Sequence, residues 1–579
     1  MIIIGLNSQY DGAMKVIAGG SAALIVDGVI KTAIAEERIS RVKYQGGYAA
    51  SLKTLLTTND LDIGDVDYFY ISFYGNPLIP SKQVVDCHLA DLGLEATPEK
   101  LVVIPSHHLS HAYLSYFLSP FDRAIIVVSD NEGSQIYPEN QLAKESRTDY
   151  CERNSYYWAE GNCVTLIDRD FENPGQLGFG KAYNKFNRFI GFGGYHNAGK
   201  TMGLSSYGRP RAKYRDVDIW EINEDGSLQS KMIDNYHPIN DVVQFFAKCG
   251  IEVSHLNFDK AYLSEESKDL AFYIQQQLNK WMEKKVKLLM NRTGISNVCL
   301  SGGVALNGVT NTHIEKTLTN SVFVPPFPSD QGQSLGNAIY GHIHQTEKSH
   351  NALIPRFVFS NFTYLGPEYS SAEVSRALTT LERDITLKIL SPKDIRNYVA
   401  RLLHSGKIIG LFQGRSEYGA RALGNRSIIS APTSTKLRDR VNTLKRRELF
   451  RPLAPAVLDE QLHCYFDSPR SYLWDHMLGV ATVREEVRKL IPGVVHVDGT
   501  ARLQAVKKSA NVGLYELISA YHNISGIPMV INTSFNLAGE PIVETPGDAI
   551  KTFQTMKLDG LVLENTLIVR TTMSDIDQG

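Results

Sequence analysis

The sequence predicts an α/β protein made of two successive units, and three observations carry that prediction. Short aliphatic runs alternate with helix-period stretches through the first part of the chain, and the alternation starts afresh near residue 385. Between them, residues 350–366 (NALIPRFVFSNFTYLGP) hold turn residues and no clear helical period. The residues that carry chemistry divide in the same place, with paired His and strand-end Asp before the break and a dense basic stretch after it. At 579 residues, 43% hydrophobic and 21% charged, the chain is long enough for more than one core. The expected organisation is a first domain over 1–355, a linker over 356–384 and a second domain over 385–579.

Taken in order, MIIIGL, SAALIVD and VIKTAIAEE read as three strands, the last two joined by the turn pair Asp27-Gly28. A helix follows near 49–59. DYFYISF, LVVIP and AIIVVSD are strands, and the His-rich piece 107–118 between the last two is a helix. Residues 131–160, rich in Tyr, Asn and Glu, are expected to form a long irregular loop of functional use. After a long helix over about 262–292, NVCLSGGV, VALNGVTNTHIEK and SVFVPP repeat strand, helix, strand, which suggests two α/β halves flanking a cleft. In the second unit KIIGLFQ, SIISAP, LAPAVL, ARLQAV, PMVINTS and GLVLENTLIVR are strands, with helices near 394–405, 511–523 and 547–556.

Composition excludes several classes. No apolar run reaches the roughly 20 residues that span a bilayer, and MIIIGLNSQYDG lacks the basic flank and cleavage site of a signal peptide, so a cytoplasmic location is expected. The six cysteines are scattered with no CxxC pair, which argues against a zinc finger or a disulfide framework. A pI near 6.8 without a basic, aromatic-interleaved surface argues against a nucleic-acid partner. Oligomeric state is not readable from the chain.

His107 and His111 stand four apart in SHHLSHAYLSYF, so a helix places both imidazoles on one face. His108 points about 100° away around that helix. Asp130 ends the strand IIVVSD, and Asp330 ends SVFVPPFPSD just before a helix. Carboxylates at strand carboxyl ends in an α/β domain face the ligand cleft. Two imidazoles and two carboxylates form a mixed N/O set suited to Fe(II), with Mn(II) or Zn(II) as alternatives. A His pair on a helix can equally be packing, and it is the two strand-end carboxylates that favour a metal.

GYHNAGKT (Gly194, Gly199, Lys200, Thr201) matches the spelling of a phosphate-binding P-loop, but that mechanism needs a preceding strand and a following helix. FNRFIGFG precedes it and the Gly- and Ser-broken MGLSSYGRP follows, leaving no room for the helix. LSGGVALNG is the better nucleotide candidate, because a strand, a diglycine and a helix bring backbone amides and a helix N-terminus to phosphates. Gly133 and Gly332 lie at corresponding strand ends, and the ATP-contacting set is Gly133, Gly302, Gly303, Asn307 and Gly332. Metal and ATP then share one site, with Mg accompanying the nucleotide.

Between Arg415 and Arg451 ten basic residues face three acids, a local +7 in a chain of formal charge −2. Guanidiniums grip phosphate and carboxylate oxygens two at a time, so a glycine-punctuated cluster such as GRSEYGARALGNRS…LKRRELFRP expects a small, dense anion. A solvated basic face is the plainer reading.

HHLSHAYLSYFLSPF, SDNEG, GKTMGLSSYG, LSGGVALNG, PSDQGQSLG, GRSEYGARALGNRS, KRRELFRPLAP, DGTARLQAV and INTSFNLAGEP, in this order and spanning nearly the whole chain, resemble the NodU/CmcH O-carbamoyltransferases, enzymes that modify nodulation factors, cephamycins, aminoglycosides and ansamycins. The resemblance implies an N-terminal actin-like (ribonuclease H-like) domain similar to the threonylcarbamoyl transferase of tRNA modification, and a C-terminal YrdC-like α/β domain. It implies that carbamoyl phosphate is cleaved in the second domain, that carbamate is adenylated by ATP to carbamoyladenylate in the first, and that the carbamoyl group passes to a hydroxyl of a small natural product. The family's metal ligands fall on His107, His111, Asp130 and Asp330. Its carbamoyl phosphate contacts fall on Arg421, Lys445, Arg451, Arg502, Ser534 and Asn536, with Arg421, Lys445 and Arg451 as the catalytic group. Arg438, Arg440, Arg446 and Arg447 are left as surface or paired residues.

The chain departs from relatives in reading IAGGSAALIV, with Ala18 and Gly19 where a His-Asp pair is usual, so either Asp11 or Tyr10 activates the acceptor or the highly activated carbamoyladenylate needs no strong base. Ala420 stands where Pro is common. A tRNA threonylcarbamoyl transferase and a metallohydrolase are the competing readings; the first is disfavoured by the second domain, the second by the unused arginine cluster.

Overall fold

The computed structural model describes all residues except 11–15, 73–80, 135–150, 173–175, 256–260, 350–361, 383–384 and 571–579. The chain separates into two compact units, Met1–Glu36 with Gln45–Phe359 and Glu37–Tyr44 with Ser360–Gly579. It therefore passes from one unit to the other three times. Part of the expected linker, up to residue 361, lies outside the described residues; the rest includes the helix Ser371–Leu378, capped by a Ser370/Glu373 box.

The first unit contains two five-stranded sheets. One comprises β1 (Ile2–Tyr10), β2 (Val16–Val26), β3 (Val29–Ala35), β4 (Tyr68–Ser72) and β5 (Leu101–Ile104). The other comprises β6 (Arg123–Ser129), β7 (Cys151–Glu160), β8 (Cys163–Glu172), β11 (Val298–Ser301) and β12 (Val322–Phe323), and between these in sequence lies the small hairpin β9 (Trp220–Ile222) and β10 (Leu228–Ser230). The spatial orders are β3-β2-β1-β4-β5 and β8-β7-β6-β11-β12. In each, the middle strand pairs antiparallel on the hairpin side and parallel on the other. The same topology thus occurs twice, in keeping with the two α/β halves expected from the sequence. Ile4, Leu6, Leu24, Phe69 and Ile71 are buried against Leu52 and Leu55 of the helix Ala49–Thr58. Each such side chain contributes roughly 1.5–3 kcal/mol on burial.

The second unit is built on one mixed eight-stranded sheet. Its strands are β13 (Ile385–Ile389), β14 (Ile409–Phe412), β15 (Arg426–Ser430), β16 (Ala454–Leu458), β19 (Gln504–Val506), β20 (Met529–Ser534), β21 (Gly560–Leu563) and β22 (Thr566–Arg570); a separate pair, β17 (Ala481–Thr482) and β18 (Thr500–Ala501), lies beside it in sequence. The order is β13-β22-β21-β14-β15-β20-β16-β19. β15 and β20 are central neighbours in which Ser427 pairs with Ser534. The expected second α/β unit is therefore present. Among the described residues no helix is long and apolar enough to cross a membrane.

Two local expectations fail. Residues 151–160 are not loop but β7, the inner strand of a hairpin, because its polar residues find partners inside. Asn154 donates to Asp170 at 3.0 Å, and Arg169 lies 3.0 Å from Glu152. Residues 135–150 of that loop lie outside the described residues. Around GKT a helix does form, Ala198–Ser205, despite its glycines. It contains Gly199, Lys200 and Thr201 themselves and is preceded by the helix Phe179–Phe189 rather than a strand. The P-loop arrangement is still absent, for a different reason from the one expected.

Candidate functional site

In the first unit the metal candidates are assembled from three places. Ser106 caps the helix His107–Leu118 by accepting from Leu109 N–H at 3.1 Å. The fully buried Glu152 secures the same helix start by accepting from Ser106 Oγ at 2.6 Å and Ser134 N–H at 3.1 Å, and Ser134 Oγ accepts from His107 N–H at 2.8 Å. Gln333 Nε2 donates to His107 O at 3.0 Å, drawing the turn that carries Asp330 against the helix. Asp130 follows β6 and accepts from Gly303 N–H at 3.0 Å.

The result is one cluster. His107, His111, Asp130 and Asp330 each offer a ligand atom, and these atoms lie within 4.8 Å of one another. His107 Nε2 is 3.2 Å from Asp330 Oδ1, and His111 Nε2 is 3.4 Å from Asp130 Oδ2 and 3.6 Å from Asp330 Oδ1. Ligands about 2.0–2.2 Å from a shared ion stand roughly 3–3.6 Å apart, so these separations suit a divalent cation. The two His111 separations are long for direct N–H···O bonds, while the His107–Asp330 contact is at the upper limit of one. Burial works against charge on His111, but the two carboxylates outweigh it and raise its pKa to about 9. Burial alone would raise Asp330; the hydrogen bonds and charges of His107 and His111 hold its carboxyl well below the usual range instead. His108 is not in the cluster. Burial, with His107 and His111 nearby, pushes its pKa well down, and its Nδ1 meets Ser155 Oγ at 2.8 Å.

Of the nucleotide candidates, Gly303 lies directly against the Asp130 carboxylate. Gly302 has φ +85°, and a side chain there would meet Ser129 O at 2.2 Å, so only glycine lets this loop turn against β6. A Cβ on Gly133 would strike His108 Nε2 at 2.7 Å, and one on Gly332 would strike Phe327 O at 2.0 Å. The side chain of Asn307 is committed inward: Oδ1 accepts from Thr310 N–H at 3.1 Å, capping the helix Gly308–Thr317, and Nδ2 donates to Gln275 at 2.9 Å. Asp11 and the side chain of Tyr10 lie outside the described residues.

In the second unit the loop 417–426 is tied by one buried carboxylate. Glu417 Oε1 accepts from the N–H groups of Leu423, Asn425 and Arg426 at 2.7, 2.7 and 3.2 Å, which fixes the backbone just after Arg421. Arg421, Arg447, Arg451 and Arg502 then crowd together. Burial lowers the pKa of each, and Arg451 adds to the lowering of Arg421, as Arg421, Arg451 and Arg447 do to that of Arg502. Arg421 Nε, Arg447 Nη2 and Arg502 Nε are buried with no hydrogen-bond partner. Buried donors without partners are costly, and a multi-oxygen anion is the group that satisfies several at once.

Lys445 is 3% exposed and its ammonium is already surrounded. Nζ donates to Asn536 O at 2.8 Å and to Ser534 O, with Asn536 Oδ1 at 3.1 Å and Ser534 Oγ at 3.3 Å. Burial, then Arg447, Arg451 and Lys43, push its pKa well down. Lys445, Ser534 and Asn536 therefore form one bonded group. Arg446 is exposed with φ +52°, the reversal that leaves Lys445 and Arg447 on the inner side.

The basic stretch thus sorts itself by partner. Arg438 pairs with Asp439 and Arg440 with Asp559, both at 2.9 Å. Arg426 is fully buried over the Phe412 ring at 3.6 Å and bonds carbonyls of Gln413 and Gly414. Arg447, left with the surface group by sequence reasoning, belongs to the cluster. So does Lys43, whose pKa is lowered by burial and by neighbours that include Arg451. The run Arg38, Arg41, Lys43 was a signal for it in the sequence; nothing there pointed to residues some 400 positions away.

Family models described as the carbamoyltransferase N-terminus and carbamoyltransferase C-terminus match residues 81–339 and 400–570. The nodulation protein NolNO of Sinorhizobium fredii is 30% identical over 96% of this chain and 80% of its own length. The nodulation protein NolO of Bradyrhizobium diazoefficiens is 30% identical over 80% of this chain and 78% of its own. Among solved structures, full-length HypF in a phosphate- and nucleotide-bound form is similar at a TM-score of 0.36 and 13% identity, covering 60% of this chain and 47% of that one.

Proposed function

This chain belongs to the carbamoyltransferase family, and on that premise we propose that it is an ATP-dependent O-carbamoyltransferase acting on a hydroxyl of a small natural product. Carbamoyl phosphate binds among Arg421, Arg447, Arg451 and Arg502, against the Lys445–Ser534–Asn536 group. The fixed cations hold the phosphate dianion and stabilise the charge it develops as water cleaves the acyl phosphate to carbamate and inorganic phosphate. A carbamate oxygen then attacks the α-phosphorus of ATP in the first unit, giving carbamoyladenylate and displacing pyrophosphate. The acceptor hydroxyl attacks the carbamoyl carbon, loses its proton, and AMP departs.

His107, His111, Asp130 and Asp330 are the residues that would hold a divalent metal, with iron(II) the ion this donor set suits and manganese or zinc the alternatives. Such an ion would neutralise charge on phosphate oxygens. Gly302 and Gly303 bring backbone close to the same place, and the Gly303 N–H already fixes Asp130. Handing carbamate on within one chain, in cytoplasm as expected from the sequence, limits its loss to water.

One observation supports this reading above others: the chain contains both a cation-seeking His/Asp cluster and an anion-seeking cluster of guanidiniums, three of which keep a buried nitrogen without a hydrogen-bond partner. A metallohydrolase would leave the second without use. Incubating the chain with ATP, carbamoyl phosphate and Fe(II) or Mn(II) should give phosphate, pyrophosphate and an AMP species in a metal-dependent way. Absence of all three with every metal supplied would sink the proposal.

A further inference from the structure

Residues 37–44 leave the first unit in sequence and pack within the second, yet the reaction above uses none of them. Arg38 is 3% exposed. Its Nη2 donates to Gly419 O at 3.0 Å, two residues before Arg421, and its Nη1 lies 3.7 Å from Glu544 Oε2. Gly419 has φ +108°, so the Arg38 bond falls on the point where the Arg421 loop takes a conformation that glycine alone adopts readily. Arg41 holds a different wall. Its Nη1 donates to Ile542 O at 2.6 Å, its Nη2 to Pro541 O at 3.1 Å, and its Nε lies 3.3 Å from Asp548 Oδ1.

Pro541 and Ile542 belong to the arm that returns from the Ser534–Asn536 turn. Asn536 Nδ2 donates to Glu540 O at 2.7 Å, and Val543 N–H donates to Phe535 O at 3.0 Å, so that arm and the turn move as one. Arg38 and Arg41 are further joined, since Arg41 Nη1 also reaches Arg38 O at 3.2 Å. One short segment therefore grips both the backbone that presents Arg421 and the backbone that supports Ser534 and Asn536. The plainer alternative is that the two arginines are ordinary glue between surface segments. Against it stands their placement on the two loops that carry ligand-binding groups, and the burial of Arg38 and Glu544, which is 0% exposed.

We propose that Arg38 and Arg41 are positioning residues of the anion site, setting the spacing between the Arg421 loop and the Ser534–Asn536 turn that a tetrahedral phosphate group requires. The inference rests on the reading of the cluster as a carbamoyl phosphate site. It is tested on the full chain by calorimetric binding of inorganic phosphate, by KM and kcat for carbamoyl phosphate, and by metal content. Arg38→Lys keeps a charge facing Glu544 but cannot span both targets, and phosphate Kd and the carbamoyl phosphate KM should rise about tenfold, with Arg41→Lys raising them less. At saturating carbamoyl phosphate kcat should stay within about threefold, and metal content should not change.

If Arg38→Ala folds poorly, the double variant Arg38→Ala/Glu544→Gln removes the stranded carboxylate. It should recover thermal stability without recovering phosphate affinity. Native affinity in both Arg38→Lys and the double variant overturns the positioning role alone. A native chain that binds neither phosphate nor carbamoyl phosphate overturns the anion-site reading and the positioning role together.

Discussion

In the first unit two imidazoles and two carboxylates converge until their ligand atoms lie within 4.8 Å, whereas in the second unit four guanidiniums crowd together and three of them keep buried nitrogens without partners. The first cluster largely neutralises itself: against the opposing pull of burial, Asp130 and Asp330 raise His111 to about 9, and His107 and His111 drive Asp330 down. The second does not, because every shift in it is a lowering led by burial, reinforced by like charges at Arg421, Arg447 and Arg502 and opposed only in part by Glu448 at Arg447 and Arg451. A cluster of mixed sign is stable alone and gains a cation by exchanging protons. A cluster of one sign is strained alone and gains an anion by relieving repulsion. The sign of the missing ligand can therefore be read from the pattern of the shifts.

The sharpest way to break the comparison is to disable one site and measure the other. His111→Ala should abolish metal binding and reduce overall turnover by about a thousandfold or more, while phosphate affinity stays within a factor of two. Arg421→Ala should reduce turnover comparably through lost use of carbamoyl phosphate, with metal content unchanged. Atomic absorption for metal and calorimetry for phosphate read the two independently. If both variants lose only metal, there is one site and not two.

Next in size is Arg447→Ala, which separates the cluster as sequence reasoning drew it from the cluster as the fold assembles it. Removing a charge-assisted contact to a phosphate costs roughly 2–3 kcal/mol, so the KM for carbamoyl phosphate should rise about thirty- to a hundredfold. The control is Arg438→Ala, whose side chain is paired with Asp439, and it should change KM by less than twofold. Equal effects would mean that the whole basic stretch acts as a diffuse field.

These contrasts also mark what the sequence could say. The His pair at helical spacing and the two strand-end carboxylates were legible because periodicity fixes which way such side chains face. The elements were mostly legible too. β7 was not, since CERNSYYWAE hides polar residues whose partners, Ser106, Asp170 and Arg169, come from other segments. Membership of the arginine cluster was only half legible. Density of charge announced it, but whether an arginine faces ligand or carboxylate depends on Asp559 for Arg440, on Phe412 and Glu544 for Arg426, and on the positive φ of Arg446 for Lys445 and Arg447. The placement of residues 37–44 in the second unit has no local signature.

A smaller effect tests the mixed-sign site by pH. The His111 imidazole carries its proton below about pH 9 in the metal-free chain, and a metal binds the neutral form. Metal affinity should therefore rise with pH, by about tenfold per unit from this group alone, and level off near 9. Titration of the metal-free chain with Mn(II) at several pH values measures the slope. A flat profile from pH 6 to 9 would mean that His111 is neutral without metal and that the carboxylates do not compensate its burial.

The smallest expected signal comes from Lys445, and it sharpens the one-sign site. Its pKa is held well below the ordinary lysine value by burial first and by Arg447, Arg451 and Lys43 after that. Above that depressed pKa the amine is neutral, and a dianion placed beside it favours the ammonium form. Anion binding should thus take up a fraction of a proton, and affinity should fall as pH rises. Sulfate is the useful probe because it does not titrate in this range, so calorimetry in buffers of different ionisation heat reports the protein's protons alone. Lys445→Met should abolish the uptake while retaining weaker sulfate binding through the arginines. No uptake in the native chain would mean that the anion leaves the protonation of Lys445 unchanged, and that its Nζ is governed by the acceptors of Ser534 and Asn536 rather than by the anion.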